Sequence, residues 1–186
     1  MSTLIAALDD SYAHAARVVA NVDAEHLALP TSCSQWDVRA TLDHLIGATW
    51  MFTLVNQDQT VGEDAGGIGS DDPVVALTNA AAANLESWRA PAAFDGDRTF
   101  PFGTFPADAA AMMNLSEVVV HTWDIANALE ADATIDPTVA EMLYAFYRPM
   151  SLDPYRAHGA FGAEITVSSD ALPADRLLAL LGRRPV

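Results

Sequence analysis

The sequence predicts a mainly α-helical fold: a bundle of four long amphipathic helices with a small extended element and a short C-terminal helix. Three observations lead there. Apolar residues recur at helical spacing in four long stretches. Asp-Pro and similar pairs stand where helices should start. Strand-like composition is confined to two short segments. Hydrophobic residues make up 51% of the 186 residues, enough to fill one core and too many for disorder. The expected organisation is a single domain over 1–186, with the bundle over about 3–130 and a C-terminal decoration over about 136–186.

The first helix is expected from Leu4 to about Val22, where Leu8, Tyr12, Ala15, Ala16 and Val19 share a face. LPTSCS, from Leu29 to Ser34, reads as a loop whose Ser34 caps the next helix. That second helix is expected over 35–56, with Val38, Leu42, Leu45, Thr49 and Phe52 as its core stripe. The Gly- and Asp-rich run 57–72 reads as a surface loop, with glycines that would also let it act as a lid. Asp72 before Pro73 is an N-cap followed by proline at the first helical position. The third helix follows to about Trp88, turning Val74, Leu77, Ala81, Leu85 and Trp88 inward. RTFPFGTFP, over 98–106, reads as a short extended pair around a turn. Pro106 and Asp108 open a fourth helix that runs to about Leu129. Asp136-Pro137 opens a fifth, ending near Pro149. A loop is expected over 150–160, a short strand over 161–167 (FGAEITV), and a final helix from Pro173 that Gly182 stops.

Composition excludes several functions. A net charge of −16 argues against nucleic acid, which needs a basic surface. All nine basic residues are arginine, so there is no lysine for a Schiff base or a phosphate loop. No apolar run reaches the ~18–20 residues of a membrane span. The first residues lack the basic n-region of a signal peptide. With Cys33 as the only cysteine, no internal disulfide can form, and a reducing cytoplasm is the expected location. A G-x-S-x-G elbow and a Gly-rich phosphate loop before a helix are both missing from the sequence.

The stretch from Asn114 to Asp124, NLSEVVVHTWD, carries the clearest chemistry. Glu117 and His121 are one turn apart on one face of the fourth helix, and Asp124 continues that stripe. Leu115, Val118, Val119, Thr122, Ile125, Ala126 and Leu129 occupy the other side. An amphipathic surface helix has this division too, so a solvent face and a ligand stripe are both open readings. The flanks favour the second: Ala110, Met113, Val120 and Ala128 border the stripe, and between Ala109 and Ala128 nothing else is ionisable. A helix apolar nearly all round is a buried helix, and buried charges need partners or a metal.

His44, on the second helix, has the small or apolar helical neighbours Ala40, Thr41, Ala48 and Met51. It reads either as a hydrogen-bonded core or surface histidine or as a partner for Glu117 and His121. In the second case two imidazoles and one carboxylate leave coordination positions open, as catalytic metal sites do. Asp124 would then orient a ligand imidazole from behind. Cys33 reads as a small buried residue at a helix entry, with a redox or metal-proximal thiol as the alternative. Trp36 and Trp123 read as packing, with Trp36 placed to wall a substrate pocket. Arg148 and Arg156 flank the loop after the fifth helix and suit either a substrate carboxylate or surface salt bridges. His14, His26 and His158 have no partners at ligand spacing.

The segments TSCSQWDVRATLDH, over 31–44, and SEVVVHTWD, over 116–124, together resemble the DinB-like superfamily. Within it they are most similar to the metal-binding domain of mycothiol-dependent maleylpyruvate isomerase and its shorter actinobacterial relatives. The tail ALPADRLLALLGRRP, over 171–185, resembles the end of those shorter relatives. The resemblance implies an up-down-down-up four-helix bundle that binds a divalent metal through His44, Glu117 and His121. It implies zinc first, with nickel or iron as alternatives, and mycothiol as a thiol cofactor. The isomerase also has a C-terminal domain that brings an arginine to its active site, where this chain has only a short strand-like segment and a helix. The expected function is therefore a metal-dependent thiol transferase or isomerase whose partners are a small-molecule thiol and an electrophilic substrate. A homodimer is an expectation by analogy with the superfamily. A non-catalytic metal-binding or dimerisation module and a metal-dependent hydrolase stand as alternatives.

Overall fold

The computed structural model describes residues 2–33, 35–59 and 72–185. The expected cap Ser34 and residues 60–71, the body of the expected lid, lie outside the described residues.

Four long helices form where the apolar stripes place them: α1 Ser2–Val19, α2 Val38–Asn56, α3 Pro73–Arg89 and α4 Ala107–Ala128. α4 packs on α1 and α2, and α3 packs on the same two, so α1 and α2 stand at opposite corners of the bundle. The chain is mainly helical, consistent with the DinB-like fold. Asp72 starts α3 as expected, its Oδ1 accepting the Val74 and Val75 N–H groups at 2.9 and 3.3 Å. Between α3 and α4 lies an antiparallel hairpin, β1 Asp97–Phe100 and β2 Gly103–Pro106.

α2 begins at Val38 rather than Gln35, because Asp37 caps it: its Oδ1 accepts the Ala40 N–H at 2.8 Å. The described residues before it are tied to one another by turn bonds instead of continuing the helix. Pro30 bridges Asp37, the Thr31 hydroxyl donates to the Trp36 carbonyl at 2.9 Å, and the Trp36 N–H donates to the Cys33 carbonyl at 2.9 Å. This loop holds Cys33 and Trp36 beside α4.

α4 is the central element. Leu115, Val118, Ile125 and Ala126 are fully buried on one side, and Val120 and Trp123 are buried on the other. That explains why its sequence is apolar almost all round. Its Asn114 ties the bundle together. Asn114 Oδ1 accepts the Trp88 indole N–H at 2.8 Å, its Nδ2 donates to the Tyr12 hydroxyl at 3.3 Å, and Tyr12 in turn donates to Thr49 at 3.4 Å. All four residues are buried. Asn114→Ala strands the Trp88 N–H and is expected to cost about 1–3 kcal/mol in urea unfolding.

The C-terminal decoration is α5 Pro137–Tyr147, α6 Asp153–Ala157 and α7 Pro173–Leu180. α5 and α7 pack on each other, and α5 also touches α4. Two expectations are corrected here. The loop over 150–160 contains the short helix α6. The expected strand over 161–167 pairs with no strand among the described residues; instead Gly162 and Ile165 donate to the Leu181 and Ala179 carbonyls at 3.2 and 2.9 Å. A strand needs a neighbour's ladder, and the end of a helix supplies only its last free carbonyls.

Candidate metal centre

α2 and α4 bring His44, Glu117 and His121 together. Glu117 Oε2 lies 3.0 Å from His44 Nε2 and 3.3 Å from His121 Nε2. The three donor atoms all lie within 4.8 Å of one another. His121 is buried, whereas the side chains of His44 and Glu117 are 37% and 34% exposed, so the group has one wet edge. Trp36 leans over both imidazoles, its ring centroid 4.4 Å from His44 and 5.6 Å from His121.

Behind His121 stands a second layer. Asp124 is 0% exposed, and its Oδ2 accepts from His121 Nδ1 at 3.1 Å. The Cys33 thiol donates to the same oxygen at 3.4 Å. Arg183, from beyond α7, donates through Nε to Oδ1 at 3.3 Å and through Nη2 to Oδ2 at 3.0 Å. Its Nη2 also lies 3.1 Å from Cys33 Sγ.

The electrostatics follow from these contacts. Burial alone would raise the Glu117 carboxyl. Hydrogen bonds from His121 and His44, with their charges, overturn that and hold it well below the usual carboxylate range. Burial likewise opposes charge on His121, but hydrogen bonds to Asp124, Cys33 and Glu117 raise its pKa well above the ordinary histidine value. Asp124 is held down against its burial by His121 and Arg183. Burial pushes the nearby Tyr147 phenol up, a hydrogen bond with Ser116 offsets part of that, and the Glu117 charge adds to it, so Tyr147 stays neutral.

These shifts make a pH prediction for the metal-free protein. A raised His121 contributes stability that is complete below about pH 6.5 and is lost as pH rises through its folded value. Lowered Glu117 and Asp124 contribute stability that is complete above about pH 4.3 and is lost as pH falls through theirs. Thermal melts in chelator are therefore expected to peak at mildly acidic pH and decline toward alkaline pH.

The donor set fits a divalent ion. A tetrahedral ion with ~2.0–2.1 Å bonds has ligand atoms ~3.3 Å apart, and the two imidazole–carboxylate separations are 3.0 and 3.3 Å. Two nitrogens and one oxygen suit zinc and leave a position open at the wet edge.

The family described as mycothiol maleylpyruvate isomerase N-terminal domain matches residues 8–126, well over half of the chain. The chain belongs to this family. An uncharacterised protein of Mycobacterium tuberculosis, in strains CDC 1551 / Oshkosh and ATCC 25618 / H37Rv alike, is 29% identical over 174 residues, covering 90% of this chain and 91% of its own length. No solved structure matches the chain.

For this member of the isomerase-domain family, the structure gathers His44, Glu117, His121, Asp124 and Trp36 into one group. Asn114, on the same sequence stripe, points instead into the bundle core. Arg156 is engaged elsewhere: it donates to the Gly162 and Leu180 carbonyls, each at 3.0 Å, and pairs with Asp153. Arg148 is exposed at the end of α5, beside Tyr147. Nothing in the sequence singled out Arg183, since a basic residue after a helix-ending glycine is an ordinary surface pattern. Its burial is visible only in three dimensions. The same contacts give Cys33 a polar role in place of simple packing.

Proposed function

We propose that this protein is a metal-dependent enzyme that presents a low-molecular-weight thiol, mycothiol in the family's chemistry, to a small electrophile in a transfer or isomerisation reaction. The observation that carries the proposal is the gathering of the His44, Glu117 and His121 ligand atoms within 4.8 Å of one another, with His44 and Glu117 partly open to solvent. These three side chains would hold a divalent ion, zinc first. A bound divalent ion lowers the pKa of a thiol that coordinates it, so that thiolate is available near neutral pH.

The rest of the work falls to this chain's own groups. Asp124 accepts the His121 Nδ1–H and fixes that ring. Trp36 covers the imidazoles and narrows the approach to the exposed side of His44 and Glu117. The neutral Tyr147 keeps a further charge away from Glu117. With a net charge of −16 the protein repels anions at long range. Arg148, exposed next to Tyr147, is a candidate cation for an anionic substrate.

The hydrolase alternative needs a spare general base. Asp124 is the remaining carboxylate of the group, and it is fully buried with His121, Cys33 and Arg183 all donating to it. That counts against hydrolysis. Cytoplasmic location fits the unpaired Cys33 and the thiol chemistry. Among the described residues, no helix is long and apolar enough to cross a membrane. Calorimetric titration of mycothiol into zinc-loaded protein tests the proposal. Saturable binding that disappears when the metal is removed is expected. No binding at millimolar thiol would overturn it.

A further inference from the structure

We propose that Arg183 is the positioning residue of the metal centre: it pins Asp124 behind His121 and plugs a second, competing donor set with its own positive charge. This inference rests on the metal reading of His44, Glu117 and His121.

Two donor sets share one imidazole. The first is His44, Glu117 and His121; the second is Cys33, His121 and Asp124, whose donor atoms also lie within 4.8 Å of one another. A sulfur, a nitrogen and a carboxylate oxygen make a chemically good zinc set. If a metal settled there, His121 would offer it Nδ1, Asp124 would cease to accept the Nδ1–H, and the orientation of Nε2 toward Glu117 would lose its support. The guanidinium stands in the way. Its Nη2 is 3.0 Å from Asp124 Oδ2 and 3.1 Å from Cys33 Sγ, where an ion using both atoms would have to sit. A guanidinium keeps its charge at any working pH and accepts no hydrogen bond, so it satisfies the anion and repels a cation. The open set then remains the available one.

The local fold is built to deliver this side chain. α7 ends in a Schellman motif: the Gly182 N–H donates to the Ala179 carbonyl at 3.1 Å and the Arg183 N–H to the Leu178 carbonyl at 2.8 Å. Gly182 has φ +79°, and a Cβ there would stand 2.4 Å from the Gly162 Cα. The chain can reverse and cross Gly162 this closely only with glycine at 182. Arg156 clamps the crossing through its bonds to the Gly162 and Leu180 carbonyls. Arg183 Nη1 then bonds back to the Leu181 carbonyl at 3.2 Å, and the residue is 4% exposed. Residues 8–126 match the family model, so the guanidinium comes from a part of the chain outside that span.

The test compares wild type, Arg183→Met, Arg183→Lys and Gly182→Ala. Zinc affinity is measured by chelator competition, and cadmium-loaded protein is read by ultraviolet absorption for a thiolate–metal band. Wild type is expected to bind zinc without Cys33, so its cadmium form shows no thiolate band. Arg183→Met is expected to lose about 10- to 100-fold in zinc affinity and to gain the thiolate band, which Cys33→Ser in the same background removes. Arg183→Lys, which restores charge but not the fork, is expected to recover part of the affinity and suppress the band. Gly182→Ala keeps the guanidinium but forces apart the Gly162 crossing; it should shift both readouts in the methionine direction and serves if Arg183→Met does not fold. Wild-type affinity and no band in the variants would overturn the role of Arg183 alone. Lost affinity without a band and without rescue by lysine would also overturn it, as the mark of a merely structural residue. A wild type that takes up no zinc overturns the metal reading along with it.

Discussion

Asp124→Ala is expected to destabilise the metal-free protein by about 3–5 kcal/mol, the cost of breaking a buried ion pair from one side. Asp124 is wholly buried and accepts from Arg183 twice, from His121 and from Cys33. Its loss leaves a guanidinium that is 4% exposed with no anion, and an imidazole with no acceptor at Nδ1. The guanidinium cannot escape by deprotonating. His121 can shed its proton, so part of the cost appears as a fall in its pKa rather than as unfolding. Asp124→Asn keeps the shape but not the charge, and its amide would turn at least one N–H toward donors, so it too is expected to be destabilising. Urea unfolding in chelator measures both. A loss below about 1 kcal/mol for Asp124→Ala, the range of exposed pairs, would mean that water reaches this layer and that Arg183 is not dependent on Asp124.

The bundle and the ligand candidates were legible in the sequence for a common reason: both depend on local spacing. The i, i+4 relation of Glu117 to His121 and the i, i+3 relation of His121 to Asp124 are properties of one helix. The apolar stripes on α1, α2 and α3 are equally local, and so are the Asp-Pro starts of α3 and α5, where Asp72 and Asp136 cap as expected. His44 needed one step more, from its small and apolar helical neighbours to a place facing the fourth helix. The rest depended on contacts distant in sequence. Arg183 lies 59 residues from Asp124 and 150 from Cys33, and its arrival turns on the backbone crossing of Gly162 and Gly182. A glycine after a helix announces a stop, not what the chain passes next. The start of α2 was misplaced because capping by Asp37 competes with the helix-like pattern upstream, and the turn bonds of Thr31 and Trp36 decide the contest. FGAEITV has strand composition, but the sheet that would pair it does not exist among the described residues, so it caps carbonyls of the α7 end.

Zinc retention is expected to collapse in His121→Ala and His44→Ala, by more than the ~10–100-fold that losing an outer-layer partner costs. Each change removes one of only three donors and opens the site further to water. Glu117→Gln is the sharper probe, because it keeps the volume and one acceptor oxygen while removing the charge between two imidazoles 3.0 and 3.3 Å away. If Glu117 is a ligand, the glutamine variant loses zinc as well. In the metal-free state it also loses one of the two carboxylates that hold His121 protonated, so the alkaline decline in its melting temperature should become shallower. The two readouts move for different reasons, and a solvent-facing stripe would move neither. The pH dependence of binding has a definite sign. Zinc must displace a proton from His121, whose pKa is raised in the metal-free protein. Affinity should therefore climb as pH rises through neutrality, with proton release visible by calorimetry in buffers of different ionisation enthalpy, and level off once His121 is deprotonated without help. Elemental analysis after dialysis at one alkaline and one mildly acidic pH, on wild type and the three variants, reads all of this. Full zinc content in His44→Ala and His121→Ala at both pH values would show that the ion is held elsewhere and that the His–Glu cluster is a partly buried salt bridge rather than a metal centre.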